Sequence, residues 1–114
     1  MLVETLAFIT IVNEVLHSDV RAVTAYTLSA NETDSTPCTG AFNENLCKSL
    51  ADGESICAAN FVPKGTILTI EGYGACRVAD RMARKNGQKV DILMKDKKSA
   101  RQWGKRLRKV EYSL

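Results

Sequence analysis

The stretch at residues 62–80, VPKGTILTIEGYGACRVAD, leaves this chain few architectural options. Pro63 and Gly65 mark a turn, since proline presets φ and glycine accepts left-handed backbone. TILTI (66–70) then alternates with period two, which gives an extended segment one apolar face. Gly72 and Gly74 turn the chain again, and ACRVA (75–79) returns. Two five-residue runs joined this way form a β-hairpin. A lone hairpin is marginal in water, so further strands must cover its apolar face.

Candidate partners recur along the chain. VRAVTAYT (20–27) is rich in β-branched and aromatic residues, and SICAA (55–59), VDILM (90–94) and LRKVEY (107–112) read the same way. Asn86-Gly87 supplies a strong turn signal before VDILM. Between the first two runs, residues 28–54 are loaded with Ser, Thr, Asn, Asp and Gly and read as a long loop. Ser99 is suited to cap a short helix over 100–104, with Gly104 at its end. Six short strands and one late helix predict an all-β small barrel with a helix over one end.

The first 19 residues have a different texture. Leu2, Leu6, Ile9 and Leu16 recur at roughly helical spacing, which predicts an N-terminal helical or leader-like segment (1–19) ahead of the barrel domain (20–114). Its apolar core, residues 6–12, is far shorter than the ~20 residues of a membrane-spanning helix. Glu4 stands where a signal peptide carries basic residues. No transmembrane span is expected, and 114 residues suit a single domain acting as a monomer.

Charge is unevenly distributed. Residues 1–76 carry 3 Lys/Arg against 9 Asp/Glu, while residues 77–114 carry 13 against 4. A basic terminal third suits a polyanionic partner, or else a solvated face balancing the acidic part after folding. RQWGKRLRK (101–109) would suit nucleic acid if Trp103 stacked on bases. Packing of Trp103 between helix and barrel is the favoured reading, and no nucleic-acid partner is expected.

Four cysteines stand at 38, 47, 57 and 76 without a C-x-x-C pair, so no zinc site is expected. An even count in a short chain fits two disulfides in an oxidising compartment, with three connectivities open; four reduced thiols in the cytosol are the alternative. Cys38 with Cys47 would staple CTGAFNENLC, and Cys57 with Cys76 would bridge neighbouring strands.

The catalytic inventory is thin. His17 is alone, and there is no G-x-S-x-G, P-loop or G-x-G-x-x-G. Asn31-Glu32-Thr33 matches a glycosylation acceptor, a triplet short enough to arise by chance. Carboxylates remain: Asp80 closes one predicted strand and Asp91 lies near the start of the next, and aspartates also favour such ends through local backbone bonds.

The collinear order VTAYT, DSTP, VPKGTILTIEGYG, VAD, GQKVDILM, a helix ending in WG and a last strand resembles the three-aspartate (3D) domain, similar to the barrel of the membrane-bound lytic transglycosylase A family and more distantly to rare lipoprotein A. The resemblance runs from about residue 20 to 112. It implies a six-stranded double-psi β-barrel acting on peptidoglycan outside the cytoplasm, secreted or wall-associated, in a bacterium or carried by a phage. The implied reaction cleaves between N-acetylmuramic acid and N-acetylglucosamine and leaves a 1,6-anhydro sugar, with no cofactor or metal. The substrate's own 6-hydroxyl is the nucleophile, so one carboxyl can act first as acid and then as base. It must begin protonated, which burial or a second carboxylate favours.

By motif position Asp91 is the expected acid/base and Asp80 its tuning partner at a barrel mouth. Thr24 and Tyr26 are expected beside them, and Asp34 or Asn60 would add a polar contact to the substrate. One departure matters. The family pattern carries its first aspartate in the strand before the V-P-x-G-T turn, and here that position is Ala58. The alternative is therefore a non-catalytic glycan-binding barrel.

Overall fold

The computed structural model describes residues 14–28 and 38–114. The N-terminal segment through residue 13, the triplet at 31–33 and Asp34 lie outside the described residues. Six strands run Leu16–Tyr26 (β1), Ile56–Ala59 (β2), Ile67–Ile70 (β3), Gly74–Asp80 (β4), Val90–Leu93 (β5) and Arg106–Ser113 (β6). They close into a barrel in the order β1-β5-β2-β4-β3-β6. The all-β small barrel expected from the sequence is the fold. β1 with β5 and β2 with β4 pair in parallel, and the other four pairings are antiparallel.

Alternation along the strands fills the interior. Val23, Leu68, Ile70, Val78, Val90, Ile92 and Val110 point inward and are fully or almost fully buried. Cys57 and Cys76 join across this interior as one disulfide, and Cys38 and Cys47 form the other. Trp103 closes one end, its indole N–H donating to the Val23 carbonyl at 3.0 Å. The packing reading of Trp103 is therefore the right one. A second cluster lies outside the wall, where Ile56, Ala79 and Leu93 meet Leu46 of a short helix, Leu46–Ala51 (α1).

Several local expectations need correction. α1 lies within what reads as a loop, and Asn45 caps it by accepting from the Lys48 amide at 3.0 Å. The late helix spans Lys97–Trp103 (α2), starting before Ser99; its cap is Asp96, whose carboxylate accepts the Ser99 amide at 2.7 Å. The turn expected at Asn86-Gly87 is present as the end of a 3-10 turn, Arg84–Asn86, and the strands on either side of it are not neighbours, since β2 lies between β4 and β5. The first strand starts at Leu16 instead of residue 20. Polar residues there are tolerated because Asp19 and Arg21 close the other barrel end. The Arg21 guanidinium lies 3.6 Å from the Phe61 ring centroid and bonds Asp19, Gln88 and the Tyr112 hydroxyl. His17 stacks on Tyr112 with ring centroids 5.1 Å apart, a packing role. Among the described residues no helix is long and apolar enough to cross a membrane.

Candidate active site

The barrel register lines up four residues across neighbouring strands. Asp80 of β4 pairs with Ala58 of β2, Ala58 with Asp91 of β5, and Asp91 with Thr24 of β1. Directly paired residues share a face of a sheet. Val90 and Ile92 face the core, so Asp91 and its row face outward. Asp80 joins the row through a β-bulge: Val78 opposes Cys57 and Asp80 opposes Ala58, leaving Ala79 as the extra residue. Without it, Asp80 would turn to the opposite face. The two carboxylates thus sit on the outer wall near the strand ends, not in the barrel mouth. Ala58 stands between them.

Asp91 is half-buried, and its carboxyl is held above the ordinary aspartate range. Burial is the main cause, because it disfavours the charged form, and the Asp80 charge adds to it. The Thr24 hydroxyl works against both, donating to Asp91 Oδ1 at 2.9 Å and favouring the carboxylate. Among the described residues nothing donates to the other oxygen, Oδ2.

Asp80 is differently employed. Its Oδ1 accepts the backbone N–H groups of Ala41 at 2.8 Å and Arg81 at 2.9 Å, and its Oδ2 accepts the Tyr26 hydroxyl at 2.8 Å. Burial foremost, then the nearby Asp80 and Asp91 charges, push the Tyr26 phenol far above its usual value, so Tyr26 remains a neutral donor. With three donors satisfied, Asp80 acts on Asp91 through its charge and anchors the loop at 38–45.

That loop is fixed at three further points. The Cys38–Cys47 disulfide closes it. Glu44 takes Arg77 at 2.6 Å, which holds the Glu44 carboxyl below the usual range, and Arg77 also bonds Glu54 at 2.9 Å. Gly40 packs so closely that a Cβ there would stand 2.7 Å from Leu46 Cδ1 and 3.2 Å from the Ala79 carbonyl. Leu46 is fully buried and the Ala79 backbone belongs to the bulge, so neither yields easily. Gly40→Ala is expected to cost about 1–3 kcal/mol through overpacking, read as a lower thermal midpoint by circular dichroism.

Of the remaining expected residues, Asn60 is nearby but spent. Its amide donates to the carbonyls of Met82 and Ala83, and its oxygen accepts the Met82 N–H at 2.8 Å. It clasps the segment after β4 instead of facing a ligand. Sequence reasoning missed the Ala41 amide and the Arg77–Glu44 pair. Gly40 beside Cys38 was the available signal for a close-packed stapled loop.

No family model matches the chain. A relative from Bacillus subtilis (strain 168), described as "Putative cell wall shaping protein YabE", is 35% identical over 52 residues. The match covers 46% of this chain and 13% of that protein, so the chain is similar to a small part of a much longer one.

Proposed function

We propose that this barrel is a lytic transglycosylase acting on peptidoglycan, with Asp91 as its single acid/base. The observation carrying the reading is Asp91 itself: a half-buried carboxyl, raised by burial and by Asp80, with one oxygen held by Thr24. The similarity to a protein named for cell wall shaping supports the substrate class. Two disulfides support an extracytoplasmic location, since such bonds persist in oxidising compartments.

The protonated Asp91 gives its proton to the glycosidic oxygen as the bond from C1 of the muramic sugar breaks, releasing the 4-hydroxyl of the next sugar. The Asp91 carboxylate then takes the proton of the 6-hydroxyl while that oxygen bonds to C1, closing the anhydro ring and restoring the acid. No water enters the product. Asp80 is the tuning charge, and Tyr26, Thr24 and the stapled loop hold the two carboxyls in place. Asp34 would be a substrate contact.

The reaction begins from protonated Asp91, so kcat/KM should fall as pH rises through its raised pKa. Thr24→Val removes a bond that favours the carboxylate. The pKa then rises further, and the alkaline limb of the profile should move to higher pH. An unmoved limb in a folded Thr24→Val protein would argue against Asp91 as the acid.

Ala58 favours a second reading, a glycan-binding barrel without catalysis. Co-sedimentation with insoluble peptidoglycan, with no soluble product by mass spectrometry after long incubation, would select it.

A further inference from the structure

We infer that the barrel end covered by α2 is an anchoring surface for an anionic wall polymer of the polyol-phosphate class, separate from the carboxylate row. Residues 94–109 hold eight Lys/Arg and one acid, Asp96. Folding does not neutralise this excess. Asp96 is committed to the helix cap, and Lys109 is paired with Glu111 at 3.3 Å. Glu71, in the adjacent β3–β4 turn, accepts the Lys109 backbone N–H at 3.2 Å. The acids of the earlier part have partners of their own: Glu44 and Glu54 hold Arg77, Asp52 lies by Lys48, and Asp19 by Arg21, although Glu54 borders the same cavity as Lys95.

Lys95, Arg101, Lys105, Arg106 and Arg108 consequently make no carboxylate pair among the described residues. Lys95, Arg101, Lys105 and Arg106 lie on α2 or at its two ends, whereas Arg108 stands further along β6, opposite Arg21 in register. Lys98 and Arg101, three residues apart, share the exposed side of α2, whose other side buries Trp103. Arg106 lies with its guanidinium 4.2 Å from the Trp103 ring centroid, and the Gly72 backbone lies against Arg108. Asp91 and Leu93 lie on the same short strand, so the basic end begins only about three residues of strand, roughly 10 Å, beyond the row.

The chemistry of the partner follows from what is missing. Trp103 is buried and its N–H is taken by Val23, so its ring is not free to stack on bases; Tyr73, the exposed ring at this end, stands edge-on to Trp103 with its hydroxyl bonded to Ser55, which disfavours single-stranded nucleic acid. Repeated positive charge outweighs the single exposed ring, a match for repeated phosphates on a flexible chain. A polymer held there would tether the protein to the wall while the row meets a glycan strand.

The inference does not depend on catalysis at Asp91, and its test reads binding. The full chain is sedimented with Gram-positive walls that retain their phosphate polymer and with the same walls stripped of it by acid. Wild type should bind the intact walls about tenfold tighter or more, with the difference fading at high salt as exposed charges are screened. The variant K95E/K98E/R101E/K105E should lose that difference while keeping its thermal midpoint, and K95Q/K98Q/R101Q/K105Q should lie between. Equal binding of wild type to intact and stripped walls would overturn the inference, as would undiminished binding by a folded charge-reversed variant. So would tighter binding to single-stranded DNA or RNA than to the purified polymer. If wild type and the charge-reversed variant release anhydro products from stripped walls equally, the two sites are independent; if neither does, the catalytic reading fails and the anchoring result stands.

Discussion

Asp91→Asn is expected to abolish release of 1,6-anhydro muropeptides from purified peptidoglycan while leaving the barrel folded. Positioned acid/base groups contribute about 10²–10⁴-fold, and here one group supplies both the proton and its removal, so the loss should reach the upper part of that range. The stability of the variant is the internal control. Asp91 has its pKa raised on folding, so its contribution to stability is fullest in acid and is lost as pH rises through the raised value. At neutral pH the native carboxylate is a liability. An asparagine carries no charge to desolvate and can still accept from Thr24. The variant should therefore melt at the same temperature as wild type or higher near neutrality. Mass spectrometry of the digest and a thermal scan on one sample make the check. Full activity in the variant removes Asp91 from the chemistry, whereas a lower midpoint shows that the position is structural.

The largest stability effect should come from Cys57→Ala/Cys76→Ala. These cysteines are 19 residues apart and cross-link β2 and β4 inside the hydrophobic core, with both sulfurs almost fully buried. A constraint of that loop length is worth about 3 kcal/mol in the unfolded-chain account, and the deleted sulfur atoms add lost packing. For a domain of this size the midpoint should fall by roughly 10–25 °C in a calorimetric scan. Because β2 carries Ala58 and β4 carries Asp80, activity should weaken before the barrel melts. A drop of only a few degrees would mean that the surrounding apolar side chains hold the two strands without the cross-link.

The strands were legible because each carries its own alternation. Leu68 and Ile70 of β3 point inward as the period-two reading of TILTI requires, and the glycines on either side fix where the hairpin turns. Legibility failed where long-range partners decide. Residues 16–19 read as helix-compatible because Leu16 continued an apolar spacing, yet β6 recruits them into β1 and Arg21 with Tyr112 gives Asp19 a place. α1 is six residues long, shorter than the window over which helical periodicity can be read, and its Asn45 cap lies among other turn-forming residues. Asp96 and Ser99 are both good caps. Only the helix axis chooses between them.

The site was partly visible for the same reason. Asp80 and Asp91 could be picked out by their place at strand ends and by collinearity with a known pattern. Their face could not, because a single bulge residue, Ala79, decides which side Asp80 takes. Nor could a sequence show that Asp80 spends its oxygens on Ala41, Arg81 and Tyr26, since those donors come from three separate parts of the chain.

The placement of β1 between β5 and β6 has a consequence for how the molecule comes to be folded. Val23 must find Val90, and His17 must find Tyr112, so the earliest strand is sealed only by the two latest. Contacts this distant in sequence make folding slow, in the millisecond-to-second range, because loop closure is costly before the core repays it. Until β6 is in place, β1 and β3 keep open edges and the interior stays wet. Such a chain has no closed half-built barrel: closure waits for β6 to dock between β1 and β3.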